Sequence, residues 1–454
     1  MQIPALSRGR LGHTLAARHG GHREHNEPLL RIEHRQALLY TLAKASELEH
    51  LIICQYLYAA FSLKREQSEG LPEELVSSVN GWARTLLRIA SQEMLHLALV
   101  QNLLTAIGAG PHLARPNFPV PARSFPARIQ IVLLPFGEEA LRHFAFLERP
   151  EGEPIDDAEA FAALAEAQSL PDVDRDEIGP IVADFETISH LYRSIEDGLA
   201  TLAERMGEDK LFIGPPSAQA TGEHFRFREL VAVTDLASAK AAIETIVEQG
   251  EGARGEWQKS HFGRLLSVLD EFLAARAAHP DVEFARPVLR AHVRPVESGT
   301  AVTLISSHFT VRASDLLNAT YEVVLQVLAR YFNHTDESDV QLATLADVAF
   351  YLMEECVSPL GALVTKLPIG PEYPGRTCGP AFELFYDADW LLPHRDAAWQ
   401  LIGERLNELA DFSASCRDEC PPGHVRILID VAQKLREQAD RIAAVAPGAT
   451  STTP

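Results

Sequence analysis

The chain has 454 residues, 46% of them hydrophobic and 23% charged, and a formal net charge of -22 at pH 7. This length exceeds one typical hydrophobic core and predicts two domains, while the strong negative charge argues against a nucleic-acid partner. No run of about 18 apolar residues occurs and the N-terminus lacks a signal-peptide core, which argues against a membrane partner. The five cysteines are too few for a disulfide framework and favour a cytoplasmic location.

The first part of the chain is predicted to be an arm followed by four helices. Residues 1–28 are polar, with four irregularly spaced histidines, and are interpreted as a mobile arm rather than a metal site. Residues 29–280 are interpreted as one domain, with a Pro-rich insertion at 111–175 between its second and third helices. The predicted helices cover about 29–64, 74–107, 181–206 and 237–250, and the fourth resumes over 261–278.

A second helical domain is predicted after a Pro-dotted segment at 280–295. It covers 296–446, and its helical stretches are 312–333, 339–366, 395–416 and 424–445. The loop at 367–380 is dense in Gly and Pro, and both a substrate-covering lid and a rigid packing loop are open interpretations of it. The whole chain is therefore predicted to be mainly α, with a four-helix bundle followed by a C-terminal helical domain.

The first helix carries a carboxylate in the middle of an apolar stripe. The stripe recurs at spacings of three and four and consists of Leu42, Ala45, Glu49, Ile52, Tyr56 and Ala59. A buried carboxylate costs several kcal/mol unless it is paired or binds a cation, so Glu49 is a candidate metal ligand. Glu47 falls off the stripe and is expected at the surface.

The second helix carries a similar stripe with two adjacent polar members. It consists of Leu86, Ile89, Glu93, His96, Val100, Leu103 and Ile107. Side chains three residues apart project from one side of a helix, so Glu93 and His96 can bind one ion. Bundle proteins with two metal ions use this Glu-x-x-His arrangement together with glutamates from facing helices. A buried ion pair without metal is the alternative.

The remaining candidate ligands lie in the third and fourth helices. In the third, Glu186 and His190 flank an apolar stripe that includes Tyr192, and spacing does not choose between them. The fourth offers Glu244, Glu248 and Glu251 on one face, either as ligands or as a solvated acidic face. His261, at the start of the resumed helix, is a further candidate. Tyr56 and Tyr192 are the candidate catalytic side chains.

Several segments together resemble one family of proteins. They are Glu47-Leu-Glu-His, Gln55-Tyr-Leu-Tyr-Ala-Ala, Glu93-Met-Leu-His-Leu-Ala, Thr187-Ile-Ser-His-Leu-Tyr, Glu248-Gln-Gly-Glu-Gly, Ser260-His-Phe, Met353-Glu-Glu-Cys-Val-Ser-Pro-Leu-Gly and Pro374-Gly-Arg-Thr-Cys-Gly-Pro-Ala-Phe-Glu. They resemble the ferritin-like family named after iminophenyl-pyruvate dimer synthase, over most of residues 35–390. The resemblance implies a ferritin-like bundle, and its founding member couples two tryptophan-derived imines in violacein biosynthesis.

Two positions depart from that family's pattern. His190 stands where similar sequences often have Glu. In the fourth helix the expected Glu-x-x-His reads Glu248-x-x-Glu251, with His261 ten residues later. These departures leave the number of ligands open, although they do not remove the predicted site.

The ligand types predict the metal and the function class. Mixed carboxylate and imidazole ligation suits two iron ions, or manganese, better than copper or structural zinc. The leading hypothesis is a non-haem dinuclear oxidoreductase that acts on a small amino-acid-derived or aromatic metabolite, with dioxygen as a candidate co-substrate. The alternatives are an imine-coupling enzyme whose metal is structural or absent, and a metal-storing protein. A homodimer is a candidate assembly.

Overall fold

A computed structural model describes residues 29–121, 124–125, 131–150, 185, 187–252, 257–296, 301–385 and 394–447. The helices of the first half are α1 (Arg35–Ser62), α2 (Glu73–Ala106), α3 (Glu138–Leu147), α4 (Ile188–Met206), α5 (Glu208–Leu211), α6 (Leu236–Gly250) and α7 (His261–Ala278). Those of the second half are α8 (His308–Phe332), α9 (Asp339–Leu352), α10 (Ser358–Val364), α11 (Arg395–Ser415) and α12 (Val425–Val445). The prediction of a mainly α fold is confirmed.

The long helices α1 and α2 form the centre of the first half. The predicted stripes of both helices are buried, including Glu49, Glu93 and His96. The helix α2 is terminated by Gly108, whose φ is 92°. The Gly108 N–H donates a hydrogen bond to the Thr105 carbonyl, and the Ala109 N–H donates one to the Leu104 carbonyl. This Schellman arrangement needs a left-handed residue and explains why the helix ends there.

Three further helices complete the surroundings of α1 and α2. The helix α4 packs on α1 and α6, while α2 also contacts α6 and α7. The helix α4 begins at Ile188, later than the predicted residue 181, because the Thr187 hydroxyl caps it by accepting from the His190 N–H. A sequence pattern does not reveal such a cap when apolar residues continue before it.

The predicted insertion contributes one described helix to this half. The helix α3 packs against α7 and ends at Leu147. The predicted arm at 1–28, Glu186 and much of the insertion, including 151–175, lie outside the described residues.

The second half packs on the first without a break in the apolar core. One cluster of buried residues runs from Leu42 in α1 to Ile442 in α12. Arg286, in the segment between the halves, ties them together, since its guanidinium donates to the Phe61 carbonyl and Glu69 of the first half and to the Thr365 hydroxyl of the second. The predicted division into two domains stays a prediction, but each half buries apolar surface against the other.

A π-helical turn and a short sheet shape the second half. Met353–Val357 form a π turn that leads into α10, so Pro359 sits near the start of α10 and the helical path continues through it. The wider turn tolerates a residue without an N–H. The strand β1 (Val288–Leu289) pairs in parallel with β2 (Thr377–Cys378), which anchors one end of the 367–380 loop. Among the described helices, none combines the length and hydropathy that a membrane crossing requires.

Candidate metal centre

Glu93 is the central group of a buried polar cluster. Its Oε2 accepts a hydrogen bond from Nδ1 of His96, one turn along α2, at 2.7 Å. Its Oε1 lies 2.8 Å from Nδ1 of His261, the first residue of α7. Glu93 and His96 are each 2% exposed and His261 is fully buried. Both oxygens of one carboxylate therefore face an imidazole, one from its own helix and one from another.

Two further carboxylates flank this group. Glu49 Oε2 lies 3.7 Å from Nδ1 of His96, and Glu148 Oε2 lies 3.7 Å from Nδ1 of His261. The cluster thus has two matching halves that share Glu93. One half is formed by Glu49 and His96, and the other by Glu148 and His261.

Each outer carboxylate is also bound by a tyrosine. The Tyr192 hydroxyl donates to Glu49 Oε1, and the Tyr56 hydroxyl donates to Glu148 Oε1. Burial, followed by the charges of Glu49 and Glu148 respectively, raises the pKa of Tyr192 and of Tyr56 well above the usual range. Both tyrosines therefore remain protonated donors, and they leave the inner oxygen of each carboxylate facing a histidine.

Local structure explains how Glu148 and His261 reach the cluster. Glu148 follows the last residue of α3 and extends the buried face that carries Leu141 and Phe144. A Cβ placed on Gly250 would lie 3.2 Å from Glu148 Oε2, so a glycine allows close approach there. His261 is placed by its neighbour Ser260, whose hydroxyl caps α7 by accepting from the Gly263 N–H.

Shared protons balance the charge of the buried carboxylates in this cluster. Burial would raise the pKa of Glu93, but the His261 and His96 rings hold it well below its ordinary value. Despite burial, Glu93 and the flanking carboxylates raise the pKa of His96 well above its usual range and that of His261 to about 9. Burial raises the pKa of Glu49 to about 7 and also raises that of Glu148. The protonated rings of His96 and His261 thus offset the negative charge of the buried carboxylates.

The donor set fits metal ions. Ligand atoms of Glu93, His96 and His261 lie within 4.8 Å of one another, and no other such trio occurs among the described residues. The contact between Glu93 Oε1 and His261 Nδ1 has the length of a hydrogen bond but not its alignment, which leaves two buried polar atoms without a hydrogen bond. A metal ion that replaced the proton on Nδ1 of each histidine would give these atoms a binding partner.

The remaining predicted ligands lie apart from this trio. Glu248 is exposed on α6. Glu251, just after α6, accepts a hydrogen bond from the Ser189 hydroxyl. His190 is buried near the start of α4 but does not belong to the trio, and Glu186 is outside the described residues. The structure therefore brings together Glu49, Glu93, His96 and His261 of the predicted set, with Tyr56 and Tyr192 beside them.

Sequence reasoning missed two residues of the centre. Glu148 follows Leu141 and Phe144 at helical spacing, which is the same signal that indicated Glu49, and it was available in the sequence. Gln249 Oε1 lies 3.2 Å from Nε2 of His96. The spacing of Glu248 and Glu251 predicted carboxylate ligands in this helix, whereas the amide between them carries no such signal.

A narrow cleft lies against one side of the centre. It lies between the end of α3, α4 and α6, and its walls include Leu147, Ile188, Ile246 and Gly250. Glu148 and Tyr192 form part of its lining. Of the three carboxylates in the cluster, Glu148 is the one that borders this cleft.

Comparisons with known proteins agree with this architecture. The family model described as ferritin-like matches residues 42–270. Dichlorochromopyrrolate synthase from Lentzea aerocolonigenes is 27% identical over 85% of this chain and 39% of its own length. The 2-imino-3-(indol-3-yl)propanoate dimerase from Chromobacterium violaceum is 28% identical over 77% of this chain and 34% of its own length. The chain thus spans between a third and two fifths of these relatives.

A solved structure of a ferritin-like protein from Caulobacter vibrioides is also similar to this chain. The TM-score is 0.42 and the identity is 19%, over 72% of this chain and 96% of that one.

Proposed function

Because the chain belongs to the ferritin-like family, we propose that it is a biosynthetic enzyme with two metal ions bound around Glu93. Its reaction is the oxidation of a small amino-acid-derived or aromatic metabolite. The observation that carries this proposal is the pair of matching halves, each with one imidazole and one outer carboxylate, that share Glu93. A bridging carboxylate between two such halves is the arrangement that a dinuclear centre requires.

The ligand types favour iron or manganese. Glu49 and His96 would hold one ion and Glu148 and His261 the other, with Glu93 between them. Carboxylate oxygen with imidazole nitrogen suits these metals, whereas the absence of thiolate at this cluster disfavours structural zinc. When bound, such ions supply redox equivalents for the activation of dioxygen or peroxide.

The protein's own groups orient the ligands and exclude water. Tyr192 and Tyr56 each fix one oxygen of an outer carboxylate by donating a hydrogen bond. Leu86 and Ile89 of α2 and Ala45 and Ile52 of α1 are buried at 1% exposure or less on the stripes that carry Glu93 and Glu49. A closed apolar surrounding strengthens electrostatic interactions and limits side reactions with water.

The names of the two relatives support a substrate of this class. One relative is named as a dimerase of 2-imino-3-(indol-3-yl)propanoate, an imine with an indole side chain. Joining two such molecules as enamines through one carbon–carbon bond removes two hydrogens, and therefore two electrons and two protons. Hydrogen peroxide would accept both and become two molecules of water. The same names also favour a second candidate, which is imine coupling with the metal structural or absent.

The test combines metal loading with a supplied imine. Protein reconstituted anaerobically with Fe²⁺ or Mn²⁺ is mixed with L-tryptophan or L-phenylalanine and an L-amino-acid oxidase, which forms the imine and peroxide. Products are followed by mass spectrometry. We expect a new oxidised or coupled product that requires metal, disappears in Glu93→Ala and persists in the matched control Glu47→Ala.

Other outcomes would contradict the proposal. Equal product from Glu93→Ala and wild type would favour metal-independent coupling. Uptake of many equivalents of iron per chain with formation of a mineral would indicate a metal store and defeat the enzyme hypothesis.

A further inference from the structure

The two imidazoles of the centre differ in what surrounds their outer nitrogen. The Nε2 of His96 lies 3.2 Å from Gln249 Oε1, which is within hydrogen-bond distance. The Nε2 of His261 is equally buried, yet no hydrogen-bond partner for it exists in the part of the chain that the structure describes. The two halves of the centre match in their inner distances and are unequal in this outer contact.

The helix α6 delivers an amide to the centre rather than a carboxylate. Its buried face consists of Ala239, Ala242, Ile243 and Ile246. Gln249 continues that face three residues after Ile246, whereas Glu248 points to solvent. A capping box at Asp235 and Ser238 fixes the start of the helix and hence this register.

The contact has a consequence for metal binding. An acceptor at Nε2 keeps a proton on that nitrogen, which leaves Nδ1 of His96 as the nitrogen that faces Glu93 and Glu49. Outer partners of this kind orient the ring and raise its affinity for metal by about 10–100-fold. Among the residues that the structure describes, none gives His261 this help.

We propose that Gln249 is a positioning residue that makes the Glu49–His96 half bind its metal ion more tightly than the Glu148–His261 half. This inference rests on the proposed dinuclear centre. Glu148 of the weaker half lines the cleft directly, whereas the other half reaches it only through Tyr192, which donates to Glu49.

The test is a titration of the metal-free protein with Mn²⁺, in which free Mn²⁺ is measured by electron paramagnetic resonance. The wild type should bind in two steps whose dissociation constants differ at least about 10-fold. Gln249→Leu should weaken the tighter step by about 10–100-fold and leave the weaker step unchanged. Gln249→Glu, which keeps an acceptor oxygen, should preserve the tighter step. Glu248→Gln, an exposed neighbour on the same helix, is the matched control and should leave both steps unchanged.

Three outcomes would count against these assignments, and they can be told apart. Two unaltered steps in Gln249→Leu would overturn the positioning role. Equal weakening of both steps, with a lower thermal midpoint by circular dichroism, would also overturn it, because the residue would then act on the fold alone. A wild type that binds no Mn²⁺ would contradict the dinuclear centre itself.

Discussion

Glu93 in α2 and Glu337 in the turn before α9 are both buried carboxylates, and different groups hold their charge. Glu337 accepts from the guanidinium of Arg330, from the indole N–H of Trp399 and from the backbone N–H of Thr335. Glu93 faces two histidines, and one of these contacts lacks hydrogen-bond alignment. The side chains of Glu337 and Glu93 are 0% and 3% exposed.

The difference shows how a structural carboxylate is distinguished from a proposed metal ligand. Arg330 does not lose its proton, so its charge stays beside Glu337 and leaves no position for a metal ion. His96 and His261 can each give up a proton, and a metal ion can then take its place. Burial alone does not separate the two cases, whereas the identity of the partner does.

The largest expected effect is on metal binding. Glu93→Ala should lose both ions, because each half of the centre depends on that carboxylate, while the helical signal in far-UV circular dichroism stays nearly unchanged. His96 and His261 can become neutral in the variant, so no charge is stranded. Metal content by elemental analysis is the measurement, and retention of either ion would show that Glu93 is not shared.

The second effect separates the two glutamates near the middle of α1. Glu49→Ala should weaken the binding of one ion by at least about 100-fold, because the loss of a ligand lowers the affinity more than the loss of an outer hydrogen-bond partner does. Glu47→Ala should do little, because Glu47 pairs with Lys44 at 2.7 Å and lies near His112. Calorimetric titration with metal measures both. If Glu47→Ala removed the metal and Glu49→Ala did not, the assignment of the inward face of α1 would be wrong.

The third effect concerns stability in the other region. Glu337→Gln strands the buried Arg330 charge, which should lower the free energy of unfolding by about 3 kcal/mol without affecting metal binding. Glu419→Gln, which disrupts surface pairs with His308 and Arg312, is the control and should cost less than about 1 kcal/mol. Urea denaturation measures both free energies of unfolding. Similar losses in the two variants would show that the Glu337–Arg330 pair stabilises the fold no more than a surface pair does.

The smallest expected effect is a pH dependence of the stability that Glu337→Gln loses. Burial would raise the pKa of Glu337, but the Thr335 N–H, Arg330 and Trp399 lower it below the ordinary 4.5. Its contribution is then fully present above pH 4.5 and fades as the pH falls through the lower folded-state value. The stability difference between wild type and Glu337→Gln should therefore be constant above about pH 5 and shrink at lower pH. A stability difference that grew as the pH fell would contradict the lowered pKa of Glu337.

Much of the centre could be predicted from the sequence because it lies on regular helices. Helical spacing placed Glu49, Glu93 and His96 on buried stripes, and the helix that starts at His261 was predicted with its observed bounds. Glu148 was missed because its helix lies in a segment interpreted as an insertion. Gln249 was missed because a neutral amide carries no signal of a metal site, and one residue of register separates it from exposed Glu248.

The most direct test of the central claim is where metal binds in the reconstituted wild type. Elemental analysis should give about two iron or manganese ions per chain. Anomalous diffraction should place one between Glu49, His96 and Glu93 and the other between Glu148, His261 and Glu93. Less than about a tenth of an equivalent after reconstitution, or a single ion away from Glu93, would contradict the dinuclear centre.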